Sequence, residues 1–273
     1  MEIKTVQPLH DIEEKIYMSK IKEAFENGTA FIPFITCGDP TLDVTKEAII
    51  EMEKAGADII ELGIPFSDPT AEGPVVQEAN IRALKNKITT NHIFQMVEEV
   101  REQVKIPFVF VTYANVVYSY GTEKFMKKCE EIGVDGVVLP DIPFEEKTEF
   151  EEICKKYNID FISTIAPTSE GRIGKIAREA TGFLYCASAL EMPKESSPKN
   201  LADMVTKVKE EQNIPCAVHY EHITAEQIGQ IASGVEGIIV GSSIVKLCEK
   251  HGENAPAHIG SYVKEMKEAV LQA

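Results

Sequence analysis

Eight short apolar runs recur along the chain, and each gives way to a charged stretch of helical period. The runs are AFIPFITC at 30–37, DIIELGI at 58–64, FVFVTY at 108–113 and GVVLPD at 136–141. They continue with FISTIAP at 161–167, FLYCAS at 183–188, PCAVHY at 215–220 and GIIVGSS at 237–243. They are too short and too rich in β-branched residues for helices. Near-continuous apolarity marks strands buried on both faces, as in a parallel sheet covered by helices.

The intervening segments carry the 3.6-residue period, for example 43–55, 122–132 and 145–156. Glycines close helices or open strands at Gly56, Gly133, Gly182 and Gly237. Eight strand–helix units are what closure of a (β/α)₈ (TIM) barrel requires, so an α/β barrel is the expected fold. An open doubly wound sheet is the alternative. Residues 8–27 are expected to add an N-terminal helix under the barrel, and residues 258–271 a C-terminal one. With no linker or low-complexity tract, residues 1–273 read as a single domain.

Composition narrows the function. A formal charge of −16 over 273 residues argues against a nucleic-acid partner, whose phosphates would be repelled. It does not exclude a small anionic substrate, because local backbone dipoles can outweigh the global field. The six cysteines, at 37, 129, 154, 186, 216 and 248, include no CxxC pair, and Cys37, Cys186 and Cys216 sit in apolar runs. They read as buried thiols of a reducing compartment. No apolar stretch reaches the ~18 residues of a membrane span, and residues 1–10 lack the apolar core of a signal peptide. A cytoplasmic enzyme or binding protein with a small-molecule substrate is the expectation.

In such barrels the active site lies at the C-terminal ends of the strands. Glu61 stands out there, a carboxyl group inside an otherwise apolar strand. It is either a buried glutamate satisfied by hydroxyl groups or a general acid/base whose pKa is raised by desolvation. The loop after it adds Asp68 and Glu72 among prolines. Asp141 ends the fourth run, where a carboxylate serves either as a helix cap or as a substrate contact. Tyr113 lies at the end of the third run and Tyr185 in the middle of the sixth, where tyrosine side chains are either core or binding surface. Gly241 and Ser242 open the helix after the eighth run, where free amides make an anion seat. His219 and His222, beside Glu221, have the ligand types of a zinc site, but spacing fixes no third ligand, and solvated loop histidines are the commoner case.

Together these residues resemble the tryptophan synthase alpha subunit, over roughly 31–250. The most specific stretches are ELGIPFSDP at 61–69 and AEGPVVQEANIRAL at 71–84. FIPFITCGDP at 31–40, TYANVVYSYG at 112–121, GVVLPDIPFEE at 136–146 and GSSIVK at 241–246 follow in order. The resemblance implies a (β/α)₈ lyase that splits indole-3-glycerol phosphate into indole and glyceraldehyde 3-phosphate by a retro-aldol step. It implies Glu61 as the acid/base, and the loop-2 acid, here Glu72, as the group that holds the indole N–H. Phe34, Tyr113, Asp141, Tyr185, Gly241 and Ser242 become substrate contacts. No metal or organic cofactor is implied. The implied partner is a pyridoxal-phosphate beta subunit, docking through loop 2 at Pro65 and Asp68.

The chain departs from that pattern in three places. Glu72 stands where the family has Asp. Glu191-Met192-Pro193-Lys194 replaces a G-V-T-G run, and His219-Tyr220-Glu221 replaces G-F-G. Lost glycines cover backbone amides that would otherwise approach a phosphate, and Glu221 sets a like charge near it, with Lys194 and a protonated His219 as candidate counter-charges. Three readings stay open on the sequence: an alpha-type lyase, a related barrel lyase or enzyme with a different substrate, phosphorylated or not, and a non-catalytic binding or regulatory subunit.

Overall fold

The computed structural model describes residues 20–169, 171–187 and 198–273. Its strands are β1 (Ala30–Thr36), β2 (Ile60–Gly63), β3 (Phe108–Val111), β4 (Gly136–Val138) and β5 (Asp160–Phe161). They continue with β6 (Thr164–Ile165), β7 (Leu184–Cys186), β8 (Cys216–Tyr220) and β9 (Gly237–Val240). All paired neighbours are parallel, in the order β5-β4-β3-β2-β1-β9-β8-β7-β6. The two ends of that order, β5 and β6, belong to one apolar run. Ile162 donates its amide to Val137 O (2.9 Å) on one side, and the Tyr185 amide donates to Ser163 O (3.0 Å) on the other. The fifth run therefore serves both edges and closes the sheet into a barrel, as the eight-run pattern predicts. One run yields two short ladders because its first half pairs with β4 and its second half with β7.

The helices follow as α1 (Lys20–Glu23), α2 (Leu42–Lys54), α3 (Pro74–Lys85), α4 (Thr90–Val100), α5 (Ala114–Tyr120) and α6 (Thr122–Glu131). Then come α7 (Thr148–Lys156), α8 (Ile173–Glu179), α9 (Pro198–Glu211), α10 (Ala225–Ile231), α11 (Ser242–His251) and α12 (Ala255–Leu271). The expected N-terminal helix over 8–27 falls largely outside the described residues. Within them the helix spans only Lys20–Glu23, and the chain then turns. The expected C-terminal helix over 258–271 begins three residues earlier, with Pro256 in its first turn, where a missing N–H costs nothing.

The period-2 alternation of the strands sorts side chains into two cores. Phe31, Ile35, Ile60, Leu62, Phe108 and Phe110 face the helices, with Phe94 of α4 and Phe125 of α6 packed over them. Ala30, Ile32, Phe34, Val109, Val111 and Ile239 fill the barrel interior. Each fully buried aliphatic or aromatic side chain contributes about 1.5–3 kcal/mol of burial. Gly56, Gly133 and Gly182 take the left-handed backbone expected where a helix ends. Gly237 instead lies within β9, where a Cβ would come within 2.8 Å of the Ala217 Cβ.

The barrel floor is tied by charge. Arg101 donates to Asp135 Oδ2 (2.8 Å), to Gly133 O (2.9 Å) and to Ile106 O (2.5 Å), while its guanidinium lies 3.6 Å over the Phe108 ring. Asp135 also accepts the Phe108 amide at 3.0 Å.

Candidate active site

The strand alternation decides where Glu61 points. Ile60 and Leu62 belong to the helix-facing core, so Glu61 and Gly63 face into the barrel. Glu61 pairs in register with Phe34 of β1 and Val109 of β3, both of which fill the interior. Its side chain is 1% exposed, and Oε1 has no hydrogen-bond partner. Burial first, and the charge of Glu72 second, hold its pKa well above the usual carboxylate range. Burial without a counter-charge biases a carboxyl group toward its protonated form.

The loop from 64 to 73 brings Glu72 back over the barrel mouth. Asn80 of α3 accepts the Phe66 amide (2.8 Å), and Gln77 donates to Glu72 O (2.8 Å). Tyr113 accepts the Ala71 amide at 2.9 Å while its ring stacks on Phe66, with centroids 5.2 Å apart. Three side chains from two other elements thus fix the loop on either side of Glu72. Burial, followed by the charges of Glu72 and Asp141, raises the Tyr113 pKa, so the phenol stays neutral.

A cavity of about 270 Å³ opens at the C-terminal ends of the strands. Its polar wall is formed by Glu72, Thr164, Tyr185, His219, Glu221 and Ser242, and Val111 and Val138 contribute apolar surface. Tyr185 and His219 stack with centroids 5.8 Å apart. Ser242, the first residue of α11, is 2% exposed. Phe34 lies to one side of this lining, where Cβ atoms on Gly63 and Gly241 would come within 2.6 and 3.3 Å of its ring. The two glycines make the slot that Phe34 occupies, and Gly241 acts here as a packing residue as well as the residue before α11.

Of the residues expected from sequence, Glu72, Tyr185 and Ser242 line the cavity together. Glu61 lies buried inside the barrel and under the influence of Glu72. Tyr113 holds the loop. Asp141 is exposed, accepts the Ala114 amide at 3.1 Å on both oxygens, and so caps the first turn of α5 outside the cavity lining. Thr164 and Ser169 line the cavity without having been singled out. Thr164 shares the inward face of the closing run with Ile162, a signal that the two-residue alternation carried.

His219 differs from expectation. A protonated imidazole beside Glu221 was a candidate counter-charge, but burial outweighs Glu221 and pushes its pKa down to about 4. It is a neutral ring at neutral pH. His222 points elsewhere, exposed, with Nε2 2.9 Å from Lys246 Nζ. Among the described residues no group of three His, Cys, Asp or Glu side chains is placed to hold a metal. Residues 191–194 lie outside the described residues.

A second recess of about 350 Å³, on the outer side of loop 2, is lined by Pro65, Phe66, Asn91 and Asn115 and contains neither glutamate. Asp68 lies exposed on that loop and accepts a hydrogen bond from Ser67 Oγ at 2.6 Å.

The chain is similar in sequence and in fold to tryptophan synthase alpha chains. The family model for the tryptophan synthase alpha chain matches residues 19–271. A tryptophan synthase alpha chain from Lacticaseibacillus casei is 42% identical over 255 residues, spanning 93% of this chain and 96% of that one. The tryptophan synthase alpha subunit of Legionella pneumophila str. Paris superposes with a TM-score of 0.85 at 30% identity, covering 94% of this chain and 100% of that one. A chain of the tryptophan synthase complex from Pyrococcus furiosus superposes with a TM-score of 0.80 at 33% identity, covering 88% and 98%. This chain belongs to the tryptophan synthase alpha chain family.

Proposed function

We propose that the chain is the alpha-type lyase of tryptophan synthesis, cleaving indole-3-glycerol phosphate to indole and glyceraldehyde 3-phosphate with Glu61 as acid/base and Glu72 as its electrostatic partner. Family membership supports the reaction. The single observation that carries the assignment of roles is Glu61 itself, inward, 1% exposed and with an unpartnered Oε1.

The chemistry asks for two proton positions and one fixed charge. Glu61 delivers its proton to the ring carbon that bears the side chain, and positive charge develops at the ring nitrogen. Glu72, on the cavity wall, faces that charge. The Glu61 carboxylate then takes the proton of the hydroxyl on the adjacent carbon. The carbon–carbon bond breaks, its electron pair returns to the ring to give indole, and the hydroxyl carbon becomes the aldehyde. Glu61 ends as it began, protonated. Glu61 serves first as acid and then as base, and the nearby charge of Glu72 disfavours its ionisation between the two steps.

The partner in this reading is a pyridoxal-phosphate beta subunit that takes up indole, docking at loop 2 through the Pro65 and Asp68 region. Asp68 is exposed there, and a relative of similar fold occurs in a tryptophan synthase complex. The six free cysteines fit a reducing, cytoplasmic setting. Among the described residues no helix is long and apolar enough to cross a membrane.

Incubating the purified chain with saturating indole-3-glycerol phosphate tests the reading. Indole and glyceraldehyde 3-phosphate should appear in equal amounts, faster when the beta subunit is added. An aldehyde product without indole, or no product at any substrate concentration, would contradict it.

A further inference from the structure

Asp39 and Arg82 belong to two of the stretches that carry the family resemblance, FIPFITCGDP and AEGPVVQEANIRAL, yet neither residue lines the cavity. They bind each other. Arg82 Nε and Nη2 donate to Asp39 Oδ1 and Oδ2, each at 2.8 Å, a two-pronged pair on a carboxylate that is 1% exposed. The third nitrogen, Nη1, lies 3.5 Å from Glu249 Oε1 on α11. Asn86, at the end of α3, adds a bond from Nδ2 to Pro40 O at 2.6 Å. The C-terminal half of α3 is therefore fastened to the loop after β1 and to α11. Its N-terminal half carries loop 2, because Gln77 donates to Glu72 O and Asn80 accepts the Phe66 amide, both at 2.8 Å. Val76 and Ala79, between these ties, belong to the same buried cluster as Phe34 and Val245 of α11. Arg82 sits about 12 Å along the helix from Pro74, too far to touch a ligand in the cavity. A shift at this clamp moves Glu72 relative to Ser242, the first residue of α11, and both line the cavity.

We propose that Arg82, through its hold on Asp39 and Glu249, is a positioning residue that sets the span between the two ends of the cavity. The proposal rests on the lyase reading, in which indole lies at Glu72 and the phosphate ester at the N-terminus of α11. A ligand that bridges the two ends needs that span, whereas a fragment that occupies one end does not. Small misplacements of this kind cost rate far out of proportion to their size.

Titration with indole-3-glycerol phosphate, and separately with indole and with glycerol 3-phosphate, tests this, with single-turnover indole release followed alongside. Two variants are compared with the native chain. Arg82→Lys keeps the charge but loses the planar fork, and Asp39→Asn/Arg82→Met removes both charges, so that no buried carboxylate is left unpaired. In each folded variant the bridging substrate should bind about tenfold more weakly and indole release should slow by about 10–100-fold. Each fragment should bind within about twofold of its native affinity, which a merely loosened fold would not preserve. Native rate and native substrate affinity in both variants would overturn the proposal, and so would an equal loss for substrate and fragments. If the native chain releases no indole, the lyase reading falls, and the contrast between bridging ligand and fragments still decides the role of Arg82.

Discussion

At the scale of single residues, desolvation is the force that assigns roles in this cavity. It raises Glu61 well above the usual carboxylate range and lowers His219 to about 4, so each group is biased toward its uncharged form. Each shift is also a statement about stability. Glu61 has a folded pKa above its unfolded value, so its contribution is fully present below the unfolded value and is lost as pH rises through the folded one. Glu61→Gln imitates the protonated form and should be no less stable than the native chain near pH 4, and more stable at pH 8, in urea unfolding. A native chain that is the more stable at pH 8 would show Glu61 to be ionised and paired. His219 works in the opposite sense: with a folded value of about 4 against 6.5, the native chain should lose stability as pH falls through that window. His219→Asn should flatten the curve there, and an unchanged slope would mean the ring is solvated. Burial of this kind was only partly legible in the sequence. Glu61 stood out because its strand is otherwise apolar. The neutrality of His219 did not, because it depends on Tyr185 and the barrel wall, contributed by segments distant in the chain. Nor could sequence decide between cap and ligand for Asp141, whose partner, the Ala114 amide, lies across a loop.

At the scale of elements, short apolar runs bounded by turn residues specified the strands well, since a parallel strand buried on both faces has a composition of its own. The division of the fifth run between two neighbours was not visible, because pairing is a property of the closed sheet and not of the segment. Close approach between elements was equally hidden. The slot for Phe34 is made by Gly63 on the neighbouring β2, where a Cβ would lie 2.6 Å from the ring. Gly63→Ala should therefore cost about 1–3 kcal/mol in thermal or urea unfolding and displace Phe34 toward the cavity, raising KM. Unchanged stability and KM would mean that the ring moves aside freely. On the barrel floor, Arg101 joins β3 and β4 through Asp135 and its ring contact with Phe108. Arg101→Met should destabilise by about 1–3 kcal/mol, because it takes the nearer of two cations from buried Asp135 and leaves it Lys20 at 3.8 Å and the Phe108 amide, and kcat of the surviving folded fraction should be unaffected.

At the scale of the whole molecule, closure by the fifth run is what turns eight local strand–helix units into one cavity. It brings Thr164 and Tyr185 opposite Glu72, and places Glu61 below them, where water has little access. The central claim is that Glu61 carries the proton on which bond cleavage depends. The most direct measurement is single-turnover indole formation by the native chain and by Glu61→Gln, each shown to be folded and to bind substrate, across a range of pH. The account predicts a loss of about 10²–10⁴-fold in the variant at neutral pH, and a native rate that falls as pH rises through the elevated pKa of Glu61. A folded, substrate-binding Glu61→Gln chain that releases indole at the native rate would contradict it.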